Sequence, residues 1–142
     1  MRRWLAGVAL VLSPALTCGT RLAAQASLAA ATEHARSAWL AHDPQGLVGQ
    51  SGSIALQIPG ADPSSPLDRA QAAELLRRHW RTAVERSLTV RGVHELESGK
   101  GYAELERCYV VAGTSDERQE TIFLGFRKVG ASWWLTELRS AP

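Results

Sequence analysis

Between Ser87 and Arg139, four stretches rich in Val, Leu, Ile, Thr, Tyr, Phe and Trp are separated by turn-forming residues. That pattern predicts strands over residues 87–97, 102–112, 118–129 and 132–139. Ser98-Gly99-Lys100-Gly101 and Val129-Gly130-Ala131-Ser132 read as tight hairpin turns, and residues 113–117 as a slightly longer loop. Upstream the period lengthens from two to 3.6. Leu28, Ala31, Ala35, Ala38, Trp39 and His42 recur at helical spacing, and Asp43-Pro44 ends the run. Ile54, Leu56 and Ile58 alternate in a short strand over residues 53–58, closed by Pro59-Gly60.

The next helix is announced by Ser65-Pro66-Leu67-Asp68, with Ser65 as N-cap and Pro66 at the first helical position. Its apolar stripe is Ala72, Leu75, Leu76, His79, Trp80 and Ala83, and Arg69, Glu74, Arg77, Arg78, Arg81 and Glu85 line the other side. The arginines read as a solvated face offset by Glu74 and Glu85 in preference to a phosphate-binding patch.

Strand register decides which polar side chains point inward, because a one-residue slip exchanges the faces. Centring the first turn on Gly99-Lys100 sets His94 opposite Leu105 and Gly92 opposite Arg107, so His94, Arg107 and Tyr109 share the apolar face of Leu88, Val90 and Leu105. A two-residue Gly130-Ala131 turn sets Leu124 opposite Glu137 and places Glu137 among Ile122, Phe126, Trp133 and Leu135. With a four-residue middle loop, Arg107 and Glu137 then lie two strands apart, roughly 10 Å at the backbone. The inward polar set is His94, Arg107, Tyr109 and Glu137 with His79 from the helix, under Trp39 and Trp80. Two readings stay open: Arg107 and Glu137 satisfy each other near the open end of the sheet, or the set lines a pocket in which Arg107 reads a carboxylate or phosphate and His94 is a base.

Composition narrows the context. Arg2 and Arg3, an apolar run over residues 4–16 and Ala24-Gln25-Ala26 form the pattern of a cleaved signal peptide, residues 1–26, and predict a protein exported to the periplasm or beyond. A lipid anchor at Cys18 is the competing reading, opposed by Thr17. Removing 26 of 142 residues leaves 116, the size of a single domain over residues 27–142. Arg2, Arg3 and Arg21 leave with the leader, so 13 basic residues face 14 acidic ones, which removes the support for nucleic-acid binding, and no membrane contact is expected after cleavage. Cys108 has no partner for an internal disulfide. No metal-ligand spacing, P-loop, nucleophile elbow or dinucleotide fingerprint occurs, so no cofactor or metal is expected. Asp43, Asp62, Asp68 and Asp116 all fall in turns, loops or a helix start, which leaves no aspartate on an inward strand position.

Helix, turn, short strand, capped helix, and a four-stranded meander ending in Trp133-Trp134-Leu135-Thr136-Glu137-Leu138 resemble the nuclear transport factor 2-like superfamily, the cystatin-like cone fold, over residues 27–142. The Ser98-Gly99-Lys100-Gly101-Tyr102 hairpin and the last strand are most similar to small exported bacterial members of unknown function. The resemblance implies an α+β fold, a cone-shaped curved antiparallel or mixed sheet wrapped around N-terminal helices. The superfamily spans steroid isomerases, dehydratases, polyketide cyclases, transport factors and binding-only domains, so it assigns no activity by itself. The expectation is a non-catalytic exported domain that binds a small anionic or amphipathic molecule or a partner; the alternative is an isomerase or dehydratase using His94 or Glu137 as acid or base. Phe123, Trp134 and Leu138 fall on the convex face in this register, and a homodimer through that face is expected.

Overall fold

The computed structural model describes residues 27–61 and 65–142; the expected leader and its cleavage site lie outside the described residues. Helix α1 (Leu28–Leu40) starts where the Ser27 hydroxyl accepts the Ala30 N–H at 3.0 Å, and it buries Leu28, Thr32, Ala35, Ala38 and Trp39. Asp43 caps the short helix α2 (Pro44–Val48), with Pro44 in the first turn. Strand β1 (Ala55–Gln57) follows, and helix α3 (Arg69–Arg81) begins three residues later than the Ser65 cap would place it. The reason is a capping box: the Asp68 carboxylate accepts the Gln71 N–H while the Gln71 side chain accepts the Asp68 N–H. On the polar side of α3, Glu74 binds Arg77 at 2.5 Å and Arg78 at 3.0 Å, as expected of a solvated face.

Strands β2 (Ala83–Leu96), β3 (Lys100–Val111), β4 (Glu117–Val129) and β5 (Ser132–Ala141) form one sheet in the order β1-β5-β4-β3-β2. Only the β1–β5 pair is parallel. The inner face packs on the helices through Leu56, Leu76, Leu105, Ile122 and Leu138, each 0% exposed. The predicted α+β cone is therefore the observed fold. Chain direction changes sooner than the helical stripe suggested, since α3 ends at Arg81 and β2 begins at Ala83, which turns Glu85 from a helix residue into a strand residue.

The register differs from the expected one in all three antiparallel strand pairs, β2–β3, β3–β4 and β4–β5. The first hairpin turns on Glu97, Ser98 and Gly99, with Ser98 (φ 64°) and Gly99 (φ 68°) both in the left-handed region, so Leu96 pairs with Lys100 and His94 with Tyr102. That odd shift sends His94 to the outer face, where its ring stacks on Tyr102 at 4.8 Å. The ring also lies over Gly92, where an added Cβ would come within 2.8 Å of Nε2, so Gly92 makes room for His94 and not for Arg107. Two bulges in β2, between Val90 and Gly92 and between Glu85 and Ser87, then restore Leu88 and Val90 to the inner face and bring Glu85 opposite Tyr109.

A third bulge lies in β5. Phe126 pairs with Leu135 but Gly125 with Glu137, so Thr136 is the extra residue, and Leu138 rather than Glu137 continues the inner face opposite Leu124. Glu137 is exposed on the outer face, its Cβ packed over Gly125, and Leu138 is fully buried. The expected inward Glu137 and outward Leu138 are thus exchanged.

Candidate functional site

Arg107 lies on the inner face of β3 with 1% of its surface exposed, and it organises every polar group near it. The β3–β4 register sets it opposite Glu120 and not Leu124, because β4 starts at Glu117. Its Nε–H donates to Glu85 Oε2 at 3.0 Å and an Nη2–H to Glu85 Oε1, a two-pronged contact, while Nη1 donates to Glu120 Oε1. Nη1 also lies 3.3 Å from His79 Nε2, which accepts if the ring carries its proton on Nδ1. The guanidinium carbon is 4.1 Å from the Tyr109 ring centroid and 5.1 Å from that of Trp39.

Aromatic groups close the cluster from the helix side. Trp39 meets Trp80 edge-on at 5.3 Å and His79 edge-on at 6.3 Å, and His42 stacks on Trp80 at 5.4 Å. His42 Nε2 reaches Glu85 Oε1 at 3.5 Å from the solvent side. The structure therefore brings Trp39, His79, Trp80, Arg107 and Tyr109 together as expected, and leaves His94 and Glu137 on the opposite face of the sheet. Arg107 pairs with Glu85 and Glu120 instead of Glu137.

Burial alone would lower the affinity of Arg107 for its proton, but the hydrogen bonds it donates to Glu85 and Glu120 and their negative charges outweigh it and hold the guanidinium above its ordinary range. His79 is shifted down, first by burial and then by the positive charge of Arg107, with Glu120 and Glu85 offsetting part of the effect. A histidine held neutral in the fold stabilises it fully above the unfolded pKa of about 6.5, and that stability is lost as pH falls from there toward the lowered folded value. We expect His79→Gln, whose amide oxygen can still accept from Arg107, to flatten the decline in denaturation midpoint from pH 7 to pH 5. An unchanged slope would show that His79 does not carry it.

Chemically this is a closed ion cluster. Every nitrogen of Arg107 already donates to a carboxylate, and an incoming anion would have to displace Glu85 or Glu120 and sit beside the other.

Open space lies elsewhere, between α1, α2 and the β4–β5 end of the sheet. A cavity of about 340 Å³ is opened by the small residues Ala30, Ala31 and Ala35 on α1 and floored by Phe126, Trp133 and Leu135. His34, Gln45 and Gln50 stand exposed around it, and His34 Nε2 lies 3.1 Å from the Gly46 carbonyl, which orients the ring. Ser51 forms part of the wall; it is 3% exposed, and its hydroxyl has no hydrogen-bond partner among the described residues. Among the described residues no Asp, Glu, Lys or Arg lines this cavity.

No protein-family profile matches the chain, and no curated protein does. Solved structures do. A ketosteroid isomerase-like protein from Erwinia carotovora atroseptica superposes with a TM-score of 0.66 at 14% identity, over 83% of this chain and 97% of that one. A hypothetical protein with a ketosteroid isomerase-like fold from Catenulispora acidiphila, in complex with trimethylamine, gives 0.61 at 14% identity, over 79% and 84%. A DUF4783 family protein from Bacteroides uniformis gives 0.60 at 16% identity, over 76% and 93%. The helices, the five-stranded sheet and these likenesses together establish that the chain has the nuclear transport factor 2-like, or ketosteroid isomerase-like, fold.

Proposed function

We propose that this is an exported, non-catalytic domain that holds a small amphipathic molecule in the cavity between α1, α2 and the β4–β5 end of the sheet. The observation that carries the reading is the cavity itself, about 340 Å³ with an aromatic floor and a neutral polar wall, within the size range of small-molecule sites. The anionic-ligand version of the reading is disfavoured because Arg107 is engaged by Glu85 and Glu120. The isomerase or dehydratase alternative loses its acid and base, since His94 and Glu137 face away from both the cluster and the cavity. The trimethylamine complex of the Catenulispora protein is further support, as a small molecule held by the same fold.

Ala30→Trp tests this by filling the space from a half-buried position on α1. In a thermal-shift screen of small neutral amphipathic compounds, ligands that raise the wild-type Tm are expected to leave the variant unmoved, with equal Tm values in the absence of compound. A compound present at about ten times its Kd contributes about 1.4 kcal/mol, which such a screen detects. Equal shifts in both proteins would count against the cavity.

Export carries its own check: the intact mass of the exported protein should correspond to a chain beginning at Ser27, whereas a lipid-modified chain beginning at Cys18 would overturn soluble export. For the convex face we propose contact with a second copy, now through Phe123, Trp134 and Tyr102 without Leu138. Arg139 covers part of Phe123 at 4.6 Å, which makes the surface smaller than the sequence implied. Sedimentation at micromolar concentration should show a dimer; a monomer would remove the proposal.

A further inference from the structure

We infer that the cavity selects uncharged ring compounds bearing a hydroxyl group, with Ser51 as the residue that reads that group; this rests on the binding function proposed above. Ser51 is held in place by its backbone, its N–H donating to the Val48 carbonyl at 2.9 Å just past the end of α2. Among the described residues its hydroxyl has no partner at 3% exposure, although a buried hydroxyl ordinarily has one. Leaving such a group unpaired costs free energy that a partner of the right chemistry recovers. The oxygen itself has almost no accessible surface, so in this proposal it meets a ligand after rotation about one side-chain bond to another of the three staggered positions.

The rest of the wall defines the class. Phe126 and Trp133 offer ring surfaces with which a planar ligand can pack, and Leu135 and Ala35 extend the apolar contact. Among the described residues no Asp, Glu, Lys or Arg lines the cavity, and His34 is at its exposed edge. The Lys128 ammonium, 5.9 Å from the Trp133 ring centroid, belongs to an exposed residue and does not line the cavity. A carboxylate drawn into this wall would lose water without gaining a counter-charge, which selects against anions. A phenol or alicyclic alcohol would place its ring on Phe126 and Trp133 and exchange a hydrogen bond with Ser51.

The test compares 4-ethylphenol, ethylbenzene and 4-ethylbenzoate by following the Trp133 indole N–H signal of the full-length protein, assigned with Trp133→Phe. Wild type should bind 4-ethylphenol about fivefold more tightly than ethylbenzene, the factor for one net hydrogen bond, and 4-ethylbenzoate at least about tenfold more weakly than the phenol. In Ser51→Ala, which removes a hydroxyl that bonds to nothing in the protein, the preference for the phenol should fall to about one. A preference that survives in Ser51→Ala, or a wild-type ratio of one, overturns the role of Ser51 while leaving the cavity as a binding site. Benzoate binding as tightly as the phenol overturns the selection for neutral ligands. If none of the three compounds moves Trp133, both the inference and the cavity reading fall.

Discussion

Arg107→Ala is expected to destabilise the fold by about 3–5 kcal/mol, the cost of breaking a buried ion pair from one side. The substitution removes the guanidinium that both carboxylates share and leaves the Glu85 and Glu120 side chains, 6% and 11% exposed, facing each other across a cavity. It also withdraws the guanidinium from the faces of Trp39 and Tyr109. Against a typical domain stability of about 5–15 kcal/mol, this would leave a protein that unfolds in a low concentration of urea. The companion variant separates charge from shape. Replacing the group together, as Arg107→Met with Glu85→Leu and Glu120→Leu, removes every charge that needs a partner, and its urea midpoint should return most of the way to wild type. If Arg107→Ala alone has the wild-type midpoint, the cluster is not structural, and Arg107 becomes available to a ligand after all.

Trp39→Ala should cost about as much, roughly 3–5 kcal/mol, through the cavity left where α1 meets α3 and the sheet. Trp39 is 1% exposed, packs edge-on to Trp80 and His79, and forms one wall of the Arg107 site. Trp39→Phe separates ring burial from the indole N–H. Since that N–H has no partner in the fold, its loss breaks no hydrogen bond, and the replacement should cost less than about half as much as alanine. Equal losses for Phe and Ala would mean that the indole nitrogen is bonded, to an ordered water for example, and that the polar cluster extends past His79.

The strand pattern and the aromatic stripe made most of this legible in the sequence. Trp39, His79, Trp80, Arg107 and Tyr109 were found because each interrupts or completes an apolar phase: two on helical faces, one at i+7 on α3, and two in the period of Ala103 and Leu105 on β3. Glu120 carries the same signal, since it stands in phase with Ile122, Leu124 and Phe126, and the correct β3–β4 register would have placed it beside Arg107. Glu85 and the true orientations of His94 and Glu137 were not readable. His94 depends on the three-residue turn at Glu97–Gly99, and Glu85 and Glu137 on bulges at Arg86, Arg91 and Thr136; an extra residue in one strand leaves its partner's sequence unchanged while exchanging every side chain beyond it. His42, which the helical spacing places on the stripe of the first helix, instead lies beyond the end of α1 at Leu40, and the chain brings it to the cluster through a left-handed turn there, with φ at 50°. The cavity is illegible in the sequence for a different reason: Ala30, Ala31, Ala35 and Gly46 mark it by what their side chains lack.

The proposed division is that Arg107 holds the fold and the cavity holds a ligand; the indole N–H spectrum in a titration with 4-ethylphenol tests it most directly. Trp133 lines the cavity, whereas Trp39 touches Arg107 and Trp80 packs on Trp39. The account predicts a saturable shift of the Trp133 signal with Trp39 and Trp80 unmoved. Saturable shifts of Trp39 and Trp80 with Trp133 unmoved would place the ligand at the Arg107 cluster and contradict it.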